Sequence, residues 1–489
     1  MSEPVDLAKQ VGELTRQFGD LQTATNIAWT LLTGYLVMFM QLGFALLETG
    51  LTRAKNVSHT MGMNIFVYAI GIICFWAVGF ALQMGGVGAL GTFGNDPTLS
   101  HEISIQIAGK DFGLVGASGF FLSPAFYTPA VAVLFLFQMV FMDTAATIPT
   151  GAMAERWKFL SFCLFSVVIA SLIYPIYANW VWGGGWLSAL GKNFGLGHGH
   201  IDFAGSSVVH MTGGVMAFVG AKMIKPRVGK YTSDGKVNAI PAHNIPMVVT
   251  GTLILAFGWF GFNPGSTLAS SDVRIAVIAT NTMLASASGA LAACVFVWLR
   301  FGKPDVTMIC NGLLAGLVAI TAPCAFVSAG SAVLVGAVAG VLVVVAALFV
   351  ERKLKVDDPV GAVAVHGVCG AWGILSVGLF SNGTYGEGLN GVDGPVKGML
   401  YGDSGQLVAS CIGIFVNVVW VGAVSVAALW IIDKLVGNRV SEPSEIEGLD
   451  HGEMGMPGYV TEAGGASPPE MGQLPAQASL ISAALQKGA

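Results

Sequence analysis

The sequence predicts an all-α polytopic membrane protein of eleven transmembrane helices, with an inverted five-helix repeat, the N-terminus outside and the C-terminus inside. Three observations carry this reading. Only 10% of the 489 residues are charged while 54% are hydrophobic, against about 25% charged in an average soluble domain. So little charge cannot clothe a globular surface, and most of that surface must face membrane lipid. Apolar stretches of about 20 residues, enough to cross a bilayer as a helix, recur along the chain. A short segment containing a histidine also appears twice, five stretches apart.

The apolar stretches run over 27–47, 62–84, 129–150, 159–182 and 206–223, then over 246–262, 275–299, 308–325, 332–350 and 361–380, with a last at 407–432. The 66 glycines fit this reading, because glycine inside apolar runs lets membrane helices approach closely. An odd number of crossings puts the termini on opposite sides. Alternate loops divide the basic residues unequally: 17 of the 23 Lys and Arg fall on the side that includes the C-terminus, among them Arg53, Arg156, Arg227, Arg352 and Arg439. Cytoplasmic loops carry that excess, which places the C-terminus inside.

The domain divisions follow. Residues 1–25 form a polar N-terminal segment in which Glu3, Asp6, Glu13 and Asp20 face only Lys9 and Arg16, so it lacks the basic flank and apolar core of a signal peptide and is expected to be retained outside. Residues 26–433 form the membrane domain, with repeat halves over about 27–223 and 246–380. Residues 434–460 form a cytoplasmic tail. Residues 461–489, rich in Gly, Ser, Pro and Ala, read as disordered apart from a short helix near Leu480. A net charge of −5 without a basic cluster interleaved with aromatics excludes nucleic acid as a partner. The seven cysteines form no CxxC pair and read as packing residues.

Aligned without gaps, the segments 202–214 and 358–370 share Asp, Gly, Val, His and Gly at the same offsets, with the histidines at His210 and His366. Five spans apart, the copies run in opposite directions through the membrane, as in inverted-repeat transporters, which brings both histidines near mid-depth. Only these two of the eight histidines lie inside long apolar spans. Intramembrane ionisable groups are costly and mark substrate or proton paths. Two other readings stay open: a hydrogen-bonded packing pair between helices, and axial ligation of an intramembrane haem. Asp202 and Asp358, at the head of each copy, are placed to cap a helix N-terminus. His198 and His200 belong to an outer loop that reads as solvated, although a metal site there is the alternative.

These segments, together with Arg53-Ala-Lys-Asn56, Gly151-Ala-Met-Ala-Glu-Arg156, Val181-Trp-Gly-Gly-Gly185, Asp202-Phe-Ala-Gly205, Gly258-Trp-Phe-Gly-Phe-Asn-Pro-Gly-Ser266 and Val356-Asp-Asp-Pro359, resemble the ammonium transporter (Amt/Mep/Rh) family, most of all its bacterial Amt-type branch, over about 27–459. The resemblance implies a homotrimeric ammonium transporter of the cytoplasmic membrane, with a pore in each subunit, no cofactor and no enzymatic activity. It implies that Phe141, Trp182 and Ser266 form an outer site that recruits NH4+, with Asp202 behind it shaping the local field. It further implies that Phe141 and Phe262 form a gate, and that His210 and His366 are the twin histidines of a narrow apolar pore that passes NH3 and can relay a proton. An ammonium sensor using the same pocket is the functional alternative, with the intramembrane haem protein behind it.

The chain departs from the family at Asp143, where a small residue is usual. Two positions beyond Phe141, it points about 200° around the helix, away from the gate. The reading favoured for it is a polar contact to a neighbouring helix or subunit, and the alternative is an extra proton or cation site. Glu48, at the inner end of the first span, is placed to pair with Arg53 at the membrane surface. Trp180 or Trp186 reads as an interfacial anchor. In the tail, Glu447-Gly-Leu-Asp450 is similar to the family's regulatory segment, and 451–459 keeps its glycine and tyrosine character with a different spacing. That similarity implies a PII signalling protein as a partner at the cytoplasmic face.

Overall fold

The computed structural model describes residues 7–94 and 99–459. The tail beyond 459, with the short helix expected near Leu480, lies outside the described residues. In chain order the long helices are α1 (Leu7–Leu51), α2 (Ala54–Met84), α3 (Pro129–Met153) and α4 (Phe159–Trp182). Then comes α5, a π-helical turn Ser206–Met211 that continues as Thr212–Met223. There follow α6 (Ile245–Phe262), α7 (Ile275–Phe301), α8 (Val306–Thr321), α9 (Ala329–Arg352), α10 (Val363–Phe380) and α11 (Ser404–Val436). Among the described residues nine helices are long and apolar enough to cross a membrane; α5 and α8 fall short of that measure. The shortfall has physical causes. In α5 the apolar character is diluted by Ser206, Ser207, His210 and Thr212, and the 16 residues of α8 span only roughly 24 Å.

The helices begin where a side chain can accept from their free amides. Thr128 caps α3, Asn244 caps α6, Asp305 caps α8, Ser328 caps α9 and Asp403 caps α11. The polar segment from Leu7 to Thr25 is no separate element but the exposed first part of α1, where Arg16 bonds Glu13 and Asp20 one turn to either side. α1 lies along α6 with backbones in contact: a Cβ on Gly251 would stand 2.5 Å from the Leu47 amide nitrogen. The same device governs the crossing of α5 and α10. A Cβ added to Gly214 would fall 2.1 Å from the Gly367 amide nitrogen, so only glycine lets these helices meet.

At one end of the bundle a hairpin of β1 (Glu102–Ile107) and β2 (Lys110–Gly116) folds over the end of α4. Its Gly113 and Leu114 carbonyls accept from the Trp186 amide at 2.9 Å and from the Trp180 indole at 2.8 Å. The two tryptophans pack on each other, and Trp180 packs on Trp420. They are therefore half-buried pillars of the hairpin. Glu102 accepts from Asn179 at 3.1 Å, one turn before Trp182, while its other oxygen has no partner.

At the other end the connecting loops are knitted by charge. Glu155, held at a positive φ of 73° in the Ala-Glu-Arg turn, pairs with Arg53 and, at 2.7 Å, with Arg227, which pairs in turn with Asp357 at 2.8 Å. Burial alone would raise the Asp357 carboxyl, but the hydrogen bonds and charge of Arg227, with Arg156 beside it, hold it well below the usual carboxylate range. The expected Glu48–Arg53 pair is therefore not formed, because Arg53 is drawn to Glu155 while Glu48 turns into the bundle. Two short helices of the tail, Glu442–Glu447 and Leu449–Gly452, lie against this layer. Asn56 accepts from the Leu449 amide at 2.9 Å, and Asp450 accepts from the His59 amide at 3.0 Å.

Burial pushes the Glu102 carboxyl up to about 7, so the folded hairpin holds that proton more tightly than the unfolded chain, where a glutamate titrates near about 4.3. The stability it contributes is then full below about pH 4 and is lost as the pH rises through about 7. Glu102→Gln should match the parent's melting temperature at pH 4 and exceed it at pH 8; parallel melting curves at both pH values would contradict this. Gly214→Ala should destabilise the purified protein by about 1–3 kcal/mol or more through overpacking, measured by thermal unfolding in detergent.

Candidate functional site

Trp182, Phe141, Ser266, Phe262, His210 and His366 fall along a single column through the bundle. At the hairpin end lies a cavity of about 200 Å³ lined by Trp182, Phe141, Phe137, Phe203, Gln138 and Ser266, with smaller apolar residues around them. Trp182 is fixed by its indole N–H, which donates to the Asp202 carbonyl at 2.7 Å. The Ser266 hydroxyl donates to the Phe262 carbonyl at 2.8 Å. Its proton is thereby committed and its remaining lone pair can accept. The Asp202 carboxylate does not face the cavity. It accepts from the amides of Gly205, Ser206, Ser207 and Val208 at 2.6–2.8 Å and from the Ser207 hydroxyl, capping α5. Asp358 caps the start of α10 in the same way, through Gly361 and Val363 at 3.0 and 2.8 Å.

The floor of this cavity is Phe141, whose ring meets Trp182 edge-on at 6.0 Å and Phe262 at 4.2 Å. Both phenylalanines are fully buried. Under Phe262 the His210 ring stacks at 5.3 Å, sandwiched on Trp259 at 5.2 Å. His210 Nδ1 then lies 3.2 Å from His366 Nδ1. At that distance one of those nitrogens carries a hydrogen and the other accepts it. His210 Nε2 has no partner. With the rings touching directly there is no slot for a haem plane between them. Each histidine sits in a π-helical turn, Ser206–Met211 or Val363–Val368. Such turns bulge a helix and re-aim its side chains, often at functional sites.

Beyond His366 is a cavity of about 10 Å³, room for one water-sized molecule, lined by His366, Glu48 and Asn311 among apolar side chains. Asn311 and Val360 also line a larger cavity of about 660 Å³, at the end of the bundle that carries the charged loops. Glu48 was missed as a lining residue because its sequence neighbour Arg53 offered an obvious partner. Gln138 and Phe203 were missed because nothing in their spacing separates them from packing residues.

Other residues fall elsewhere. Asp143 is 2% exposed, lines none of these cavities, and leaves one carboxyl oxygen without a partner. The expected solvated loop at His198 and His200 is corrected: both are buried. His200 Nε2 bonds the Ser207 hydroxyl at 3.0 Å, and its ring fills the space over Gly413. Among the described residues no cluster of His, Cys, Asp and Glu is arranged to hold a metal.

The model of the Ammonium Transporter Family matches residues 28–459. The ammonium transporter Amt2 of Archaeoglobus fulgidus is 45% identical over 442 residues, covering 89% of each chain. Among solved structures, one described as a Sensor Amt Protein superposes with a TM-score of 0.77 at 35% identity, covering 89% of this chain and 99% of that one. Mep2 of Candida albicans superposes with a TM-score of 0.72 at 26% identity, covering 86% and 87%. Family match, relatives and apolar helices together show a multi-pass protein of the cell membrane that belongs to the ammonium transporter family.

Proposed function

We propose that the chain transports ammonium into the cell, taking NH4+ from outside at the Trp182, Phe141 and Ser266 cavity and passing it inward as NH3 while His210 and His366 relay the proton. The observation that carries this reading is the unbroken column from Trp182 through Phe141, Phe262 and His210 to His366. At its mouth two aromatic rings and a hydroxyl oxygen suit a small cation that donates hydrogen bonds, with about 0.5–2 kcal/mol available from the aromatic faces. Below, the fully buried Phe141 and Phe262 offer a cation no oxygen in exchange for its water. An uncompensated charge there would cost many kcal/mol, whereas neutral ammonia enters at little cost. The histidine pair, whose protonation is matched to neutral pH when solvated, gives the abandoned proton a hydrogen-bonded route.

In this reading α5 and α8 cross the membrane with the nine longer helices. The halves around His210 and His366 form an inverted repeat, the N-terminus lies outside, and the protein assembles as a homotrimer with one pore per subunit. The tail 434–460, bonded to the loops through Asn56, His59 and Glu445, forms the inner regulatory surface to which a PII signalling protein docks. The solved neighbour described as a Sensor Amt Protein favours one second reading, in which the same cavity senses ammonium.

Reconstitution into liposomes separates these. An ammonium pulse should evoke both nitrogen uptake and an inward positive current in the parent. Trp182→Leu should raise the half-saturating ammonium concentration about two- to thirty-fold, the equivalent of losing about 0.5–2 kcal/mol of cation–π attraction. His210→Ala and His366→Ala should each cut the current at least about tenfold, a loss of about 1.4 kcal/mol or more from the rate-limiting step. Binding of ammonium with neither uptake nor current in the parent would overturn transport and favour the sensor.

A further inference from the structure

The mechanism proposed above leaves unanswered where the proton goes after the histidines and where ammonia becomes ammonium again. The residue placed to do both is Glu48. It is 2% exposed and shares the small cavity beyond the histidine pair with His366 itself. Oε2 accepts from Asn64 Nδ2 at 2.8 Å and bonds the Thr150 hydroxyl at 2.7 Å. Gly151 makes room for the other oxygen, since a Cβ there would stand 2.9 Å from Oε1. Behind these partners the Gln41 amide donates to the Asn64 carbonyl at 2.6 Å and accepts from Thr147 at 2.9 Å. Among the described residues no cation pairs with Glu48: Arg53, the nearest base in sequence, is bound to Glu155. A carboxyl buried at such cost, without a counter-charge and facing a water-sized lumen, is not explained by packing.

We infer that Glu48 is the acid–base group of a second, inner ammonium site, where ammonia leaving the pore regains its proton. This rests on the proposed transport reading and deepens it. The proton released by NH4+ outside passes along His210 and His366 to the Glu48 carboxylate, forming its O–H bond. NH3 reaching the cavity takes that proton, so an N–H bond forms as the O–H bond breaks. The resulting NH4+ is held briefly by the regenerated carboxylate and the Asn311 side chain. It then leaves into the larger cavity, which Asn311 also lines. No other reactant is needed, and each cycle returns Glu48 to its starting form.

The test uses the full-length protein in liposomes, with nitrogen uptake and current recorded together on an ammonium pulse. Glu48→Gln keeps the size and the bonds to Asn64 and Thr150 but cannot carry a proton, and its current should fall at least tenfold. Glu48→Asp should restore a measurable part of it, a rescue that a purely structural role would not give. A Glu48→Gln current within twofold of the parent overturns the inference while leaving transport intact. So does a parent that takes up nitrogen without current. A parent with neither uptake nor current overturns the transport reading itself. Should Glu48→Gln fail to fold, Thr150→Val, which removes one bond to the carboxylate, should lower the current several-fold; an unchanged current there also overturns the inference.

Discussion

Contact between two imidazole rings in the middle of an apolar bundle is the constraint on which the rest of this structure depends. His210 and His366 can stand 3.2 Å apart only if the helices that carry them nearly touch. That closeness is set at Gly214 and Gly367, where any side chain on the first would collide with the backbone of the second. Each histidine is also turned inward by a π-helical bulge, and each bulge is started by an aspartate that gathers the free amides. Caps of this kind are worth about 0.5–2 kcal/mol, and here they fix the register of a functional side chain as well. Remove the glycine, the bulge or the aspartate, and the same loss is expected: the rings part.

The two ends of the column solve different problems. Toward the hairpin, aromatic faces and the Ser266 oxygen form a half-open cavity in which a cation can keep part of its hydration. Between the rings of Phe141 and Phe262 a cation finds no oxygen to replace its water, so selection against other cations at this point needs no dedicated repulsive group, only the absence of oxygen ligands. At the opposite end, charged residues pair in a buried chain from Arg53 through Glu155 and Arg227 to Asp357. That chain ties together loops that follow α1, α3, α5 and α9. It also satisfies the acids and bases nearest the inner cavity, so that Glu48 remains as an unpaired carboxyl close to the path.

Much of this was legible in the sequence. The repeated Asp, Gly, Val, His and Gly at 202–214 and 358–370 point to His210 and His366 on their own, because a histidine in an apolar span is rare and a matched pair is rarer still. The apolar stretches marked the helices, including α5 at 206–223 and α8 at 308–325, whose polar side chains or short length leave them below the nine that are long and apolar enough to cross. What the sequence could not supply was tertiary competition for partners. Arg53 lies five positions from Glu48, and proximity along the chain suggested a pair, yet Glu155 from the α3–α4 turn takes the arginine. His198 and His200 read as loop residues because glycines surround them, and those same glycines fold the loop into the interior. Asp143 was legible as an oddity, and the fold shows that it stays away from the column.

Transport by this route requires that nitrogen and proton separate inside the column. The most direct measurement is the ammonium-evoked current of the reconstituted parent protein in D2O compared with H2O, at matched ammonium concentration and acidity. Stripping the cation at the outer cavity and handing its proton along His210 and His366 makes hydrogen transfer part of the rate, and the current is predicted to fall several-fold in D2O. A current slowed by no more than the viscosity of the solvent would show that the intact cation crosses, and would contradict the account.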